Sequence, residues 1–519
     1  MQRGKNAWHL VGLKWIAALV SALVVGISSS GRADSSDRFA AALNAQMPEL
    51  LEKYRVPGAV ISCIRNGDVV WTKAFGRANL STDGLMRPDL VFNHGSNGKV
   101  LTAWGIMRLV EEGKVDLDAP ANRYLKRWQL RSSQFDPNAV TIRRLLSHTA
   151  GLTVHGFMDY NQRRRLPNLV EMLEGRNQVP MFNGEVNGAV LIKWQPGSRG
   201  EYSGGGFVIL QMIIEDVSGE SFASFMHREV TAPLKLDTLQ WTWTPELEVA
   251  APMPYGELQE PVGYRQLACQ SIGSEVCSVA DFARFLAAAV PSAHAEPVGR
   301  GVLTPESVAQ MLEIQTNSDG SGLGYGVAWI DGHKILGHSG ANPGWNAQFL
   351  LDATQREGFV IANNSALGGP FNGAVNALWW RTMRSQTVTD PPPASGFTIG
   401  LNRLVLRITL VFGTILTVIT GRRVYQVACG KLRWSRRPSK RWLLVTSFFA
   451  VVTLIWWYLF YAPPSLPLPI SPAIPDIWVL PLVNYFAEAL LGCVGISLFF
   501  AFLRGNNAEL KDEKRAIPQ

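Results

Sequence analysis

The sequence predicts an α+β fold. An antiparallel sheet is flanked by N- and C-terminal helices, an all-helical lobe is inserted between its strands, and three transmembrane helices come last. Three observations in the 519 residues carry this expectation. β-rich runs cluster early and late, so the economical assembly joins them in one sheet across whatever lies between. From Ser96 to about Val290 the apolar spacing is mostly helical, with long loops. Three apolar segments, 401–420, 442–461 and 477–503, each reach the ~20 residues that a bilayer-spanning helix needs.

Taken in order, Ser36 caps a helix over Asp37–Tyr54 with Phe39, Leu43, Met47, Leu50 and Leu51 on one face, and Pro48 predicts a kink or break inside it. Ala59–Ile64 and Val69–Phe75 flank Asn66-Gly67, a strong hairpin signal. Helices are readable at 96–112, 141–147, 204–217, 221–230 and 278–290. Strands return at Gly324–Ile330, Lys334–His338, Asn346–Leu351 and Gly358–Asn363. An amphipathic helix at Asn372–Met383 closes a domain spanning 34–389. Pro391-Pro392-Pro393 stiffens a linker over 390–400, and 401–519 is the expected membrane region.

Residues 1–33 read as a signal peptide: Arg3, Lys5 and Lys14, an apolar run from Trp15 to Ile27, and a small-x-small site at Gly31-Arg32-Ala33. An uncleaved N-terminal anchor would leave Asp34 onward on the same side. Between Arg422 and Arg441 lie eight Lys or Arg and no acid, the mark of a cytoplasmic loop. The 34–389 domain is therefore expected on the extracytoplasmic (periplasmic) side of the inner membrane. Of the net charge of +8, residues 1–33 carry +4 and 401–519 carry +9, leaving −5 for the remainder. The basic excess thus signals topology and argues against a nucleic-acid partner. Glu488, alone among apolar residues of the third segment, is a candidate functional carboxylate. Cys269 and Cys277, eight apart, either close a disulfide in an oxidising compartment or stay two thiols.

The chemistry centres on Ser96-Asn97-Gly98-Lys99, opening the helix that ends at Gly113. Positions three apart share a helix face, so Ser96 and Lys99 stack, and a desolvated neutral amine can take the proton of a serine hydroxyl. Tyr202 precedes Gly204-Gly205-Gly206 at a helix start, where the backbone can come close while the phenol enters a cleft; simple packing against the helix is the plainer reading. His338-Ser339-Gly340-Ala341 ends a strand, where side chains can meet a substrate and backbone N–H groups an oxyanion. A phosphate-binding loop around Gly98-Lys99 is excluded by Asn93 and Val100, and Gly337–Ala341 fails the G-x-S-x-G pattern at its last residue. No His/Cys/Asp/Glu cluster has metal-ligand spacing, and no cofactor is implied.

Together these stretches, with Leu109–Asp118, Leu145–Leu152 and Ala232-Pro233-Leu234, resemble the serine β-lactamase and penicillin-binding-protein superfamily, on its class C, esterase and D-aminopeptidase side. The resemblance spans about Met47–Met383 and implies a β-lactamase/transpeptidase-like fold. It implies that Ser96 is acylated, that Lys99 helps deprotonate it, and that Tyr202 shuttles the proton to the leaving group. It also implies that His338, Ser339 and Gly340 line the substrate site, with the Ser96 and Ala341 N–H groups as oxyanion hole. Two departures matter. Gly204 replaces the asparagine of Tyr-x-Asn, and His338 replaces a lysine that would pair with a substrate carboxylate. Both favour esterase, peptidase or transacylase action over efficient β-lactam hydrolysis. The substrate is then a small molecule or peptide, with cell-wall fragments among the candidates. The alternative is a catalytically weak ligand-binding or sensor protein using the same cleft.

Overall fold

The computed structural model describes residues 35–158, 160–161, 165–178 and 188–393, and parts of 411–461 and 480–505. The expected signal over 1–33 and most of the linker lie outside these residues. In chain order α1 (Ser35–Tyr54) leads into β1 (Gly58–Arg65), β2 (Asp68–Asn79) and β3 (Gly84–Leu85). The lobe holds β4 (Val91–Asn93), α2 (Gly98–Glu111), α3 (Ile142–Leu146), β5 (Tyr160–Asn161), α4 (Leu169–Leu173), α5 (Gly204–Ser218) and α6 (Phe222–Met226). It continues through α7 (Pro245–Ala250), β6 (Arg265–Gln266), β7 (Val276–Ser278), α8 (Val279–Ala287) and α9 (Pro305–Met311). Strands β8 (Gly326–Ile330), β9 (His333–Asn342), β10 (Trp345–Asp352) and β11 (Glu357–Asn363) complete the sheet, and α10 (Gly368–Arg384) ends the domain.

Seven strands lie in the order β3-β2-β1-β11-β10-β9-β8, each pair antiparallel. The early and late strands meet at β1 and β11, with Ile61 opposite Ile361. Strand side chains alternate between faces, and here both faces are covered. Ala59, Ile61 and Cys63 enter a core with Phe39 of α1 and Trp379 of α10. Val60 and Ile64 enter the larger core shared with the lobe. That is why β1 is buried up to its last residue and reads as an apolar run interrupted only at Ser62.

Two expectations need correction and two open alternatives are narrowed. Helix α1 runs through Pro48 without the break, with Met47, Leu50 and Tyr54 packed on both sides of the proline. The lobe is not all-helical: β4 pairs with β7 and β5 with β6, each too short to announce itself by alternation. Cys269 and Cys277 are separate, buried free thiols; burial pushes Cys269 up to about 12 and Cys277 well above its ordinary range.

The second correction concerns the membrane. Among the described residues no helix is long and apolar enough to cross one, so the three expected transmembrane helices do not stand. Segment 401–420 lies almost wholly outside the described residues. The other two fall in a hairpin of α11 (Lys440–Tyr461) and α12 (Leu480–Ala501), whose chain ends pair as β12 (Leu432–Trp434) and β13 (Leu503–Gly505). Its described side chains run over Lys440–Leu454 and Leu490–Ala501. Hydroxyls sit on the packed face, Thr446 Oγ1 bonding Ser497 Oγ at 3.0 Å. The side chain of Glu488 lies outside the described residues.

Candidate active site

Ser96 sits in a tight turn, Gly95–Asn97, that runs directly into α2, so Lys99 comes in the helix's first turn. Lys99 Nζ stands 3.0 Å from Ser96 Oγ and 2.9 Å from the Ile272 carbonyl, and the side chain is buried. Asn93, at the end of β4, braces this turn. Its Oδ1 accepts from Gly95 N–H at 3.0 Å and from Asn342 Nδ2 at 2.6 Å. Its Nδ2 donates to the Gly273 and Glu275 carbonyls at 3.1 and 3.2 Å. One buried amide thus ties together β4, the serine turn, the end of β9 and the loop before β7.

Strand β9 outruns its neighbour. Its pairing with β8 ends at Gly337, so residues 338–342 leave one edge to run along the serine turn. The approach is close. A Cβ on Gly340 would run into the His94 carbonyl and lie 2.7 Å from Ser96 N, and one on Gly95 (φ +55°) would lie 2.7 Å from Ala341 N. Glycine at both positions lets the amides of Ser96 and Ala341 become neighbours.

The phenol comes from the lobe. Ser203 caps α5, accepting from Gly206 N–H at 3.1 Å, and so fixes Tyr202 just ahead of the helix. The Tyr202 ring centre is 5.0 Å from Lys99 Nζ. The rings of His148, His155 and His338 lie 4.2, 4.7 and 6.2 Å from it. The structure therefore brings Ser96, Lys99, Tyr202 and His338 together with the backbone of Gly340 and Ala341. Ser339 is exposed, and its carbonyl accepts from His338 Nδ1–H at 2.8 Å.

Electrostatics keep the imidazoles neutral. His338 is partly open to the cleft but ringed by protein. Burial first, then the Lys99 charge, push it down to about 4 against the bond to Ser339. His148, whose Nδ1 accepts from Ser203 N–H at 3.2 Å, is pushed well below its usual range by burial, then by Lys99, His338 and His155. A Cβ on Gly204 would come 3.0 Å from the His155 carbonyl, so an asparagine would have little room there.

Sequence reasoning missed the aromatic box around the phenol. His148 stood inside a recognised stretch, Leu145–Leu152, but nothing in its spacing points to Tyr202; His155 carried no signal at all. It also missed Glu275, fully buried near the serine turn, whose carboxyl burial pushes well above the ordinary range.

Residues 43–382 match the family model described as Beta-lactamase. The chain is 26% identical to the esterase EstB of Burkholderia gladioli, over 69% of this chain and 82% of the esterase. It is 24% identical to a penicillin-binding protein of Bacillus subtilis, over 77% and 88%. Among solved structures, a β-lactamase/D-alanine carboxypeptidase from Pseudomonas syringae superposes with a TM-score of 0.53 at 15% identity, covering 67% of this chain and 99% of that one. EstCE1, a hydrolase with promiscuous acyltransferase activity, gives 0.52 at 19% identity, covering 67% and 98%. At those identities the two structures speak for the fold alone.

Proposed function

The chain belongs to the Beta-lactamase family of serine hydrolases, and from that premise we propose that it forms an acyl-enzyme on Ser96 and acts on an uncharged ester or amide. The observation that carries this reading is a buried amine on a serine hydroxyl, Lys99 Nζ to Ser96 Oγ at 3.0 Å, close to the ring of Tyr202. In the first half-reaction Lys99 Nζ accepts the Ser96 proton as Oγ bonds to the acyl carbon. The developing oxyanion lies against the Ser96 and Ala341 amides. The proton passes through Tyr202 to the leaving alcohol or amine as its bond to the acyl carbon breaks. Water then adds to the acyl carbon, the path runs in reverse, and an acid is released with Ser96 restored.

The preference for an uncharged substrate is supported by His338. Its Nδ1–H is spent on the Ser339 carbonyl and its ring is neutral near pH 7, so it offers no fixed cation to a carboxylate. The similarity to an esterase agrees with an ester.

Intact-mass measurement after incubation with a fluorophosphonate or a chromogenic ester tests the reading. Wild type should gain one adduct, and both Ser96→Ala and Lys99→Ala should lose it together with turnover. Undiminished labelling of Ser96→Ala would sink the proposal. Binding of a substrate without any acylation of wild type would favour the sensor alternative.

A further inference from the structure

Glu275, in the loop ahead of β7, is fully buried; no side chain bonds its carboxyl among the described residues, and what meets it is backbone, its own and that of Gly98. Burying an ionisable group this way costs stability, so its position needs a reason. It lies against Gly98, the first residue of α2, between Ser96 and Lys99: a Cβ on Gly98 would fall on the carboxyl, 2.6 Å from Oε1. The start of α2 lacks its usual support. Asn97 at the cap makes no side-chain capping bond, and both its amide atoms are buried without partners. From Asn97 to Gly98 the turn is held by backbone bonds to His94 and Gly95 and by what presses on it.

We propose that Glu275 is a positioning residue for acyl transfer at Ser96. Its side chain fills the space left by glycine at 98 and locks the first turn of α2. The Lys99 amine is thereby held between the Ser96 hydroxyl and the Ile272 carbonyl. This rests on the acyl-enzyme reading above. Burial pushes the carboxyl well above its ordinary range, against the opposing bond from its own backbone, the Lys99 charge and the Gly98 backbone, and its bulk against Gly98 is the working part.

The amine is faced by the Tyr202 and Phe207 rings from the start of α5, and by His148 from beyond α3. His338 faces it from β9, and Cys269 and Glu275 from the loop before β7. Its pH profile therefore reports on this surround as well as on the turn.

The test measures fluorophosphonate labelling of the full chain from pH 5 to 9, with folding monitored by circular dichroism. Ser96→Ala is run alongside; if it labels, the acyl-enzyme reading fails in its own right and this proposal falls with it. Glu275→Gln keeps the shape and should label within about threefold of wild type with the same pH midpoint. Glu275→Ala should label at least about tenfold more slowly and move the midpoint by roughly half a unit or more. Gly98→Ala should be slowed likewise, because its methyl meets the carboxyl. Combining Gly98→Ala with Glu275→Ala should restore most of the rate, a coupling that independent damage would not give. Should Glu275→Ala fail to fold, Glu275→Asp takes its place with the same expectation at smaller size. Wild-type labelling by Glu275→Ala at every pH would overturn the proposal. So would a loss in Glu275→Gln as large as in Glu275→Ala.

Discussion

Gly340 contributes no side chain to the site, yet it decides how near β9 comes to the serine turn. The backbone of Ser96 lies where its Cβ would go, and the His94 carbonyl blocks the same space. Gly340→Ala must move one of two backbones, and both are braced: β9 by its ladder with β10, the turn by Asn93. A displacement of about 1 Å at a reacting centre costs on the order of 100-fold in rate. Acylation of Gly340→Ala should fall by about that factor while the protein still melts cooperatively, measured as initial labelling rate beside a thermal unfolding curve. A variant within about threefold of wild type would show that the amides of Ser96 and Ala341 need not be neighbours.

Helix α10 tests whether the two faces of the sheet are separable. Trp379 is fully buried between α10 and the sheet, 6.3 Å from the Phe359 ring, with the Arg384 guanidinium 5.0 Å above it. Its indole N–H has no partner among the described residues. Trp379→Ala should cost about 3–5 kcal/mol. Trp379→Phe, which also discards an unpaired donor, should cost about 1 kcal/mol. Urea midpoints read both, and the labelling rate of the folded variants should stay unchanged, because His338 and Gly340 belong to the opposite face. This element also shows what a sequence can convey. Its apolar periodicity and the hairpin about Asn66-Gly67 are local patterns, so both were legible. The unbroken helix at Pro48 was not, since the contacts that override the proline come from β1 and α10. Nor were the short ladders of the lobe, two or three residues long, of which β4–β7 is held by Asn93 rather than by alternation. Ser96 and Lys99 could be paired from spacing, and Tyr202 joined them through a resemblance. Glu275 reads as an ordinary loop acid, because its burial depends on a glycine 177 positions earlier.

Across the whole molecule, the buried titratable groups pull stability in opposite directions with pH. His94 and His338 are pushed down to about 4 and His148 well below its usual range, mainly by burial. Between their ordinary 6.5 and those values, the unfolded chain takes up protons that the fold refuses. Stability from these three is thus lost as pH falls through that window. Glu275 acts with the other sign. Its folded carboxyl keeps a proton that the unfolded chain releases above about 4.5, so its contribution is lost as pH rises. Below 6.5 three groups oppose one, and acidification destabilises; above 6.5 the histidines are neutral in both states and the Glu275 slope remains. Glu275→Gln removes that slope and leaves every other group in place, so the difference between the two proteins isolates it. The variant should gain on wild type as pH rises from 5 to 9, by up to about 1.4 kcal/mol per pH unit, read as the gap between urea unfolding free energies. Parallel curves would mean that Glu275 is ionised in the fold. Its charge beside Lys99, rather than its bulk against Gly98, would then be what the site uses.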